Sequence, residues 1–319
     1  MSENPSINQY AGTLKPALTA LTIALLFILV PLVGEMLVFL LPAPIAYQRY
    51  RNGDGIAAVT AAGCIGIAAV GGSFFLGVWL AGMATAGYLL GGFLRRGSRP
   101  DLAVAVSTAS AAGMAVILAG VWFLSAGKLP SATMASVLDE SMKQSVLMYR
   151  QVGMSEADIQ QIMPVLKMYA EFIRLYMPAM IACAYGFSVL VTYGLTRGRL
   201  IRDGALDASS LVPLSRWTSP DALVWAVIVP GFLMMIPGIP VLRTLMGNVL
   251  LVAAAPYLAQ GFGLVFFFFE KLKLTRLMRG LGYVVILFQP YLILGIWTLG
   301  LFDTWADFRK LRAAGVKPA

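Results

Sequence analysis

Glu35, Asn248, Gln260 and Gln289 are polar side chains inside, or at the ends of, long apolar runs. A polar group in hydrocarbon is expensive, so each is a functional candidate by default. Glu35 lies at the outer end of the first two runs. It reads as a solvated turn carboxylate, or as a substrate or cation contact at a pocket mouth. The two glutamines and Asn248 read as interhelical hydrogen-bonding groups that hold a bundle together, or as polar points in a ligand site. With the aromatic Trp79 and Tyr88, residues Glu35, Asn248 and Gln260 outline a candidate pocket wall, since a small-molecule site needs an aromatic, small-residue lining with a few polar groups. The chemistry available is hydrogen bonding and one negative charge. Catalysis lacks its parts. The chain has no histidine, the commonest general base and metal ligand. No convergent acid, base or nucleophile is visible. We therefore expect no catalytic residues, no metal, no cofactor and no enzyme activity.

Other candidates are structural or serve docking. Glu171 and Arg174 are three apart and read as a salt bridge on one helix face. Small residues recur at four-residue or three-residue spacing: Ala20 with Ala24, Gly63 with Gly66, Gly87 with Gly91. Such pairs let helices approach closely where water gives no drive for association, either within the chain or as a docking face for a partner. Cys64 and Cys183 sit in apolar runs and read as small hydrophobes. The ending LGLFDTWADFRKL, residues 299–311, combines Asp303, Trp305, Asp307, Phe308 and Arg309. Aromatic and basic residues together suit a membrane interface, so these five form a candidate interfacial anchor, with Asp303 capping a short helix.

The composition determines what holds these residues. Of 319 residues, 59% are hydrophobic and 12% charged, and the mean hydropathy is +0.80. Soluble domains are roughly 45–50% apolar and about 25% charged, so a soluble globular enzyme and a disordered chain are both excluded. Crossing the hydrocarbon takes about 20 apolar residues. Nine stretches approach that: 17–33, 36–48, 55–72, 74–94, 102–126, 170–196, 221–239, 244–269 and 280–302. The second is short and holds Pro42 and Pro44. Pro290 divides the last.

Positive charge orients the spans. Thirteen of the 24 basic residues fall in four same-side loops, at Arg49–Arg51, Arg95–Arg99, Arg197–Arg216 and Lys271–Arg279. The intervening short loops carry only Arg243. The net charge of +9 is thus a topology signal and not nucleic-acid affinity, and the N-terminus is expected in the cytoplasm. The tail with Arg309, Lys310, Arg312 and Lys317 should share that side, whereas nine crossings would put it outside. An even number, about eight, resolves the conflict most simply, with the divided last stretch as the suspect.

The expected organisation is a polar tail at 1–16, a membrane core at 17–196, a cytoplasmic linker at 197–220, C-terminal transmembrane helices at 221–302 and a basic interfacial tail at 303–319. Within the core, 127–169 reads as an outer amphipathic helical hairpin. Gly153 ends its first helix. Ser155 with Asp158 begins the second.

The segment GLFDTWADFRKL resembles the ending of the YybS-like family of uncharacterised polytopic bacterial membrane proteins. NVLLVAAAPYLAQGFGLVFFFFEKLKL, residues 248–274, resembles that family's penultimate span and basic loop. More distantly, the first half resembles the S-components of energy-coupling-factor transporters: a proline-containing second span ending in a basic pair, then Gly/Ala-rich spans. That resemblance implies a vitamin-like ligand, and docking of a membrane coupling protein with its ATPases through Ala20 and Ala24. The layout is also similar to MreD-like envelope scaffolds. The sequence thus predicts an all-α polytopic transmembrane bundle of about 8–9 spans with an S-component-like first half, in a bacterial inner membrane. Its partners would be the lipid bilayer and either a coupling protein with ATPases or envelope proteins. Small-molecule binding and scaffolding are the two expected functions.

Overall fold

The computed structural model describes residues 5–70, 74–127, 130–207 and 214–311. Every regular element among them is helical. The chain divides into two units, one ending at Arg199 and the other starting at Leu200.

The first unit contains α1 (Pro5–Leu29), α2 (Pro31–Leu37), a 3-10 turn (Val38–Leu40), α3 (Pro42–Asn52), α4 (Asp54–Val70), α5 (Phe74–Arg95), α6 (Pro100–Ala126), α7 (Pro130–Gln151) and most of α8 (Glu156–Arg202). Prolines open α2, α3 and α6, where the missing N–H has no intrahelical partner to lose. Gly127 closes α6 in the left-handed conformation, its N–H on the Phe123 carbonyl.

The core of this unit includes Leu41, Ile45 and Ala46 from α3 and its entry, Leu80, Met83 and Leu90 from α5, and Tyr185 and Val189 from α8. Helices α3 and α5 approach closely. A Cβ on Gly87 would lie 2.6 Å from the Pro42 carbonyl oxygen, and one on Gly91 would lie 2.5 Å from that of Ala46. These small residues therefore serve packing inside the chain. So do Ala20 and Ala24, which are completely buried in the same core as Ala46 and Cys64. That corrects the expectation of a partner-docking face at Ala20 and Ala24: methyl groups already enclosed by their own unit present nothing to another protein.

The count of spans also differs from expectation. Among the described residues four helices are long and apolar enough to cross a membrane: α5, α6, α8 and α10 (Pro240–Lys271). A fifth is reached if the bent pair Arg276–Ile286 and Tyr291–Ala306 is one span. Leu14–Leu29, Asp54–Val70 and Asp221–Met234 are shorter apolar helices. A 17-residue helix rises only about 25 Å against a hydrocarbon thickness of about 30 Å. The stretch 36–48 is no single span. It breaks into the end of α2, the 3-10 turn and the first turns of α3, because Pro42 and Pro44 interrupt the ladder and the helix that follows carries Gln48 and Arg49.

The hairpin expected at 127–169 corresponds to α7 and the beginning of α8. Gly153 turns the chain at φ 86°. Asp158 donates its N–H to Ser155 Oγ at 3.2 Å, and the Ser155 hydroxyl in turn donates to Asp158 Oδ2 at 2.6 Å. Arg150 clasps Glu156 across the turn at 2.7 Å. The second helix does not end with the hairpin. It continues as α8 for 47 residues through Pro164 and Pro178, a length of about 70 Å at 1.5 Å per residue. Glu171 and Arg174 pair on its exposed face at 2.7 Å.

The second unit contains two 3-10 turns (Leu214–Arg216 and Asp221–Val224), α9 (Trp225–Met234), α10, α11 (Arg276–Phe288) and α12 (Pro290–Ala306). Helix α10 is its axis, packed by α9 and α12. Gly261 of α10 and Gly300 of α12 make the crossing possible, since a Cβ on Gly261 would collide with the Ile296 carbonyl and one on Gly300 with that of Tyr257. Gln289 separates α11 from α12 at a bend of 104°. It is exposed there.

Candidate functional site

The most elaborate polar constellation lies in the second unit, on Gln260 of α10. Its Oε1 accepts from the Ser219 N–H at 2.9 Å and from the Ser219 hydroxyl, and its Nε2 donates to Asp303 Oδ2 at 3.0 Å. Asp303, near the end of α12, also receives Arg309 Nη2 at 2.6 Å and Nε at 3.2 Å. Its other oxygen accepts the Phe308 N–H at 3.0 Å. Arg309 Nη1 donates to the carbonyls of Ser215 and Trp217, both at 2.9 Å. The two charged side chains are at most 1% exposed.

Local backbone makes this closure possible. Asp307 and Lys310 take left-handed conformations, φ 43° and 54°, which fold the chain back after α12. Asp307 Oδ1 then accepts the Leu311 N–H at 2.9 Å. A buried ion pair persists only when further hydrogen bonds satisfy both groups, and here both are so satisfied. The arrangement is a clamp joining α10, α12 and the 214–219 segment. Its carboxylate already accepts from Gln260, Phe308 and Arg309, so the arrangement fits restraint better than proton transfer.

This placement corrects the reading of the tail. Arg309 and Asp303 are committed inside the fold, not presented to headgroups. Trp305 and Phe308 are the exposed members of the five, and Asp307 serves the turn.

The five residues expected to line a pocket divide between the units, with Glu35, Trp79 and Tyr88 in the first and Asn248 and Gln260 in the second. Glu35 is exposed on α2. Trp79 stacks on Tyr185, centroids 4.8 Å apart, with Phe39 edge-on at 5.9 Å. Tyr88 is covered by Arg49, whose guanidinium carbon lies 3.7 Å from the ring centroid. Arg49 is fixed there by Nε on Asp54 Oδ1 at 2.7 Å and Nη1 on the Tyr88 carbonyl at 2.6 Å. Gly92 leaves it room, since a Cβ there would fall 2.5 Å from Nη1. Asn248 donates to Thr244 of its own helix at 2.9 Å. Gln260 belongs to the clamp. Self-packing thus occupies Trp79, Tyr88 and Gln260, the groups assigned to a ligand.

Sequence reasoning missed the cavity beside the clamp. It measures about 280 Å³ and is walled by Ser215, Phe266, Phe269, Glu270, Arg279 and Tyr283, together with Leu214. Tyr283 of α11 packs edge-on to Phe266 at 5.6 Å and against Phe269 at 5.5 Å. The signal available was the run FFFFEK followed by RLMRGLGY, aromatic and charged residues on two consecutive helices. A second cavity, about 540 Å³, lies between α7 and α8, lined by Asp139, Met142, Lys143, Val146, Leu147, Arg150 and Met163. Among the described residues no group of three His, Cys, Asp or Glu is arranged to hold a metal ion.

Comparison with curated proteins and with solved structures finds no match. Residues 17–304, from α1 to the residue after Asp303, match the family described as "Predicted membrane protein (DUF2232)". With nine-tenths of its length covered and several helices long and apolar enough to cross a bilayer, the chain belongs to that family and is a multi-pass membrane protein.

Proposed function

We propose that the protein is a membrane scaffold in cell-envelope assembly, and that the α7–α8 arm is its contact element. The observation that carries this reading is the excess length of α8. About 30 Å of hydrocarbon accounts for less than half of a helix about 70 Å long. Its apolar stretch begins after Arg174, so residues 156–174 and α7 stand beyond the bilayer as a two-helix arm. The arm has an apolar trough at Met142, Val146, Leu147 and Met163, rimmed by Asp139, Lys143 and Arg150. Exposed Leu147, Met148, Val152, Val165 and Met168 extend it. This combination suits an amphipathic helix of an envelope protein, with the rim charges setting its register. The self-packed Trp79, Tyr88 and Gln260 weigh against a ligand-carrying core.

A second reading has one observation in its favour. The trough's volume lies within the range of about 300–1,000 Å³ usual for small-molecule sites, so a small-molecule binding component of a transporter would place its ligand there. Affinity purification in mild detergent, with and without residues 134–165, separates the two. Envelope-synthesis or cytoskeletal partners lost on deletion support the scaffold. An ATPase pair, or loss of uptake of a labelled metabolite, would refute it in favour of transport.

The orientation follows from charge together with the clamp. Basic residues assign the 197–220 segment to the cytoplasm. Arg309 bonds the carbonyls of Ser215 and Trp217, so the chain after α12 lies on that same side. Helices α11 and α12 then begin and end at one face, as a re-entrant pair.

A further inference from the structure

The cavity between α10 and α11 contains one carboxylate, Glu270, and one guanidinium, Arg279. Among the described residues no ion pair joins them. Arg279 is instead held by Nε on the Leu274 carbonyl at 3.0 Å. Phe266, Phe269 and Tyr283 line the same cavity, with buried Ser215. A cavity that presents opposite charges with no ion pair between them, among aromatic rings, is complementary to a zwitterion. The guanidinium fork matches a phosphate, and the carboxylate accepts from a primary ammonium.

Two further features specify the source of that zwitterion. Glu270 is the penultimate residue of α10, a helix long and apolar enough to span, which sets the cavity at headgroup depth. Helix α11, which forms its wall, is amphipathic. Leu277, Leu281, Val284 and Phe288 form one exposed apolar stripe, and Met278 and Val285 widen it. Arg279 and Tyr283 lie on the opposite face, toward the cavity. A helix of this kind lies in the bilayer interface with its apolar side among acyl chains. The cavity is smaller than most drug-sized sites, which suits a headgroup whose tails remain outside.

We infer that this cavity binds a phospholipid with a phosphoethanolamine headgroup, phosphate on Arg279 and ammonium on Glu270. A purely anionic headgroup offers Glu270 nothing. A trimethylated one offers it no N–H.

The test uses the full-length protein in nanodiscs of mixed phosphatidylethanolamine, phosphatidylglycerol and phosphatidylcholine, released into native mass spectrometry. Phosphatidylethanolamine should be retained preferentially. Glu270→Gln should cut its retention about tenfold, the worth of one charge-assisted hydrogen bond, and leave phosphatidylglycerol retention unchanged. Arg279→Gln should lower both. Circular dichroism of both variants, whose substituted side chains are exposed or half-buried, checks that they fold. Equal retention of the three lipids would overturn the proposal, as would retention unaffected by either substitution. Free O-phosphoethanolamine supplies the remaining arm. Binding of the free compound to detergent-purified protein without any lipid preference would assign the site to a soluble zwitterion and overturn the lipid source.

Discussion

Asp303 and Arg309 show how far one residue's surroundings can reverse its role. Both were legible as charges in an aromatic tail, and as charges in a tail they belong in water or among headgroups. What buries them is not local: Ser215 lies 94 residues from Arg309. Removing one partner of a buried pair strands the other charge, at a cost of about 3–5 kcal/mol. Asp303→Asn should therefore lower stability by that order in detergent unfolding followed by tryptophan fluorescence. The double variant Asp303→Leu with Arg309→Met should lose less than either single substitution, and a simple sum of the two single losses would count against the clamp. Gly261 is the steric counterpart. Gly261→Ala should destabilise by at least the 1–3 kcal/mol usual for overpacking in the same measurement, because the colliding atom is a backbone carbonyl that cannot rotate away. Gln260 was partly legible, since a lone amide in an apolar run announces a hydrogen-bonded partner, but its partners could not be named from the sequence.

At the scale of elements, the arm was the best anticipated. Glycine at 153, a hydroxyl at 155 and an apolar period on either side are local signals, and local signals survive into the fold. The turn also carries a titrating latch. Its hydrogen bond to Arg150, more than the Coulombic attraction, holds the Glu156 carboxyl below its ordinary value. The folded turn thus favours the ionised form. Its contribution is complete above the unfolded value of about 4.3 and is lost as pH falls through the lower folded one. Spin labels at Met148 and Met168 should give a single narrow distance at pH 7 that broadens below about pH 4. Glu156→Gln should be broad at both, and a distribution indifferent to pH and to this substitution would remove the latch. The pair is exposed, so the effect is a loosening of the turn and not a loss of fold. Helix α3 was the least legible element. Its apolar beginning reads as half a span, yet Arg49 is buried because Tyr88, Asp54 and two glycines of α5 receive it.

For the whole molecule, topology is the property most open to experiment. A reporter fused at Ala319 should signal the cytoplasm, and so should one in the 197–220 segment. Opposite signals would mean that α12 completes a crossing, and with it the re-entrant pair would fall. The sequence by itself determined the class of object: a histidine-free, charge-poor, all-helical membrane protein with most of its basic residues gathered in short loops. Those properties are sums and periods, and neither depends on which helix meets which. Only the tertiary structure decided where the polar groups went. It enclosed Ala20 and Ala24, covered Tyr88 with Arg49, drew Asp303 and Arg309 inward, and placed Glu270 and Arg279 in one cavity without an ion pair between them. Most of those outcomes depend on contacts between segments distant in sequence, and in a bilayer interior with almost no charge the few polar side chains find one another across the fold or face the aqueous edge.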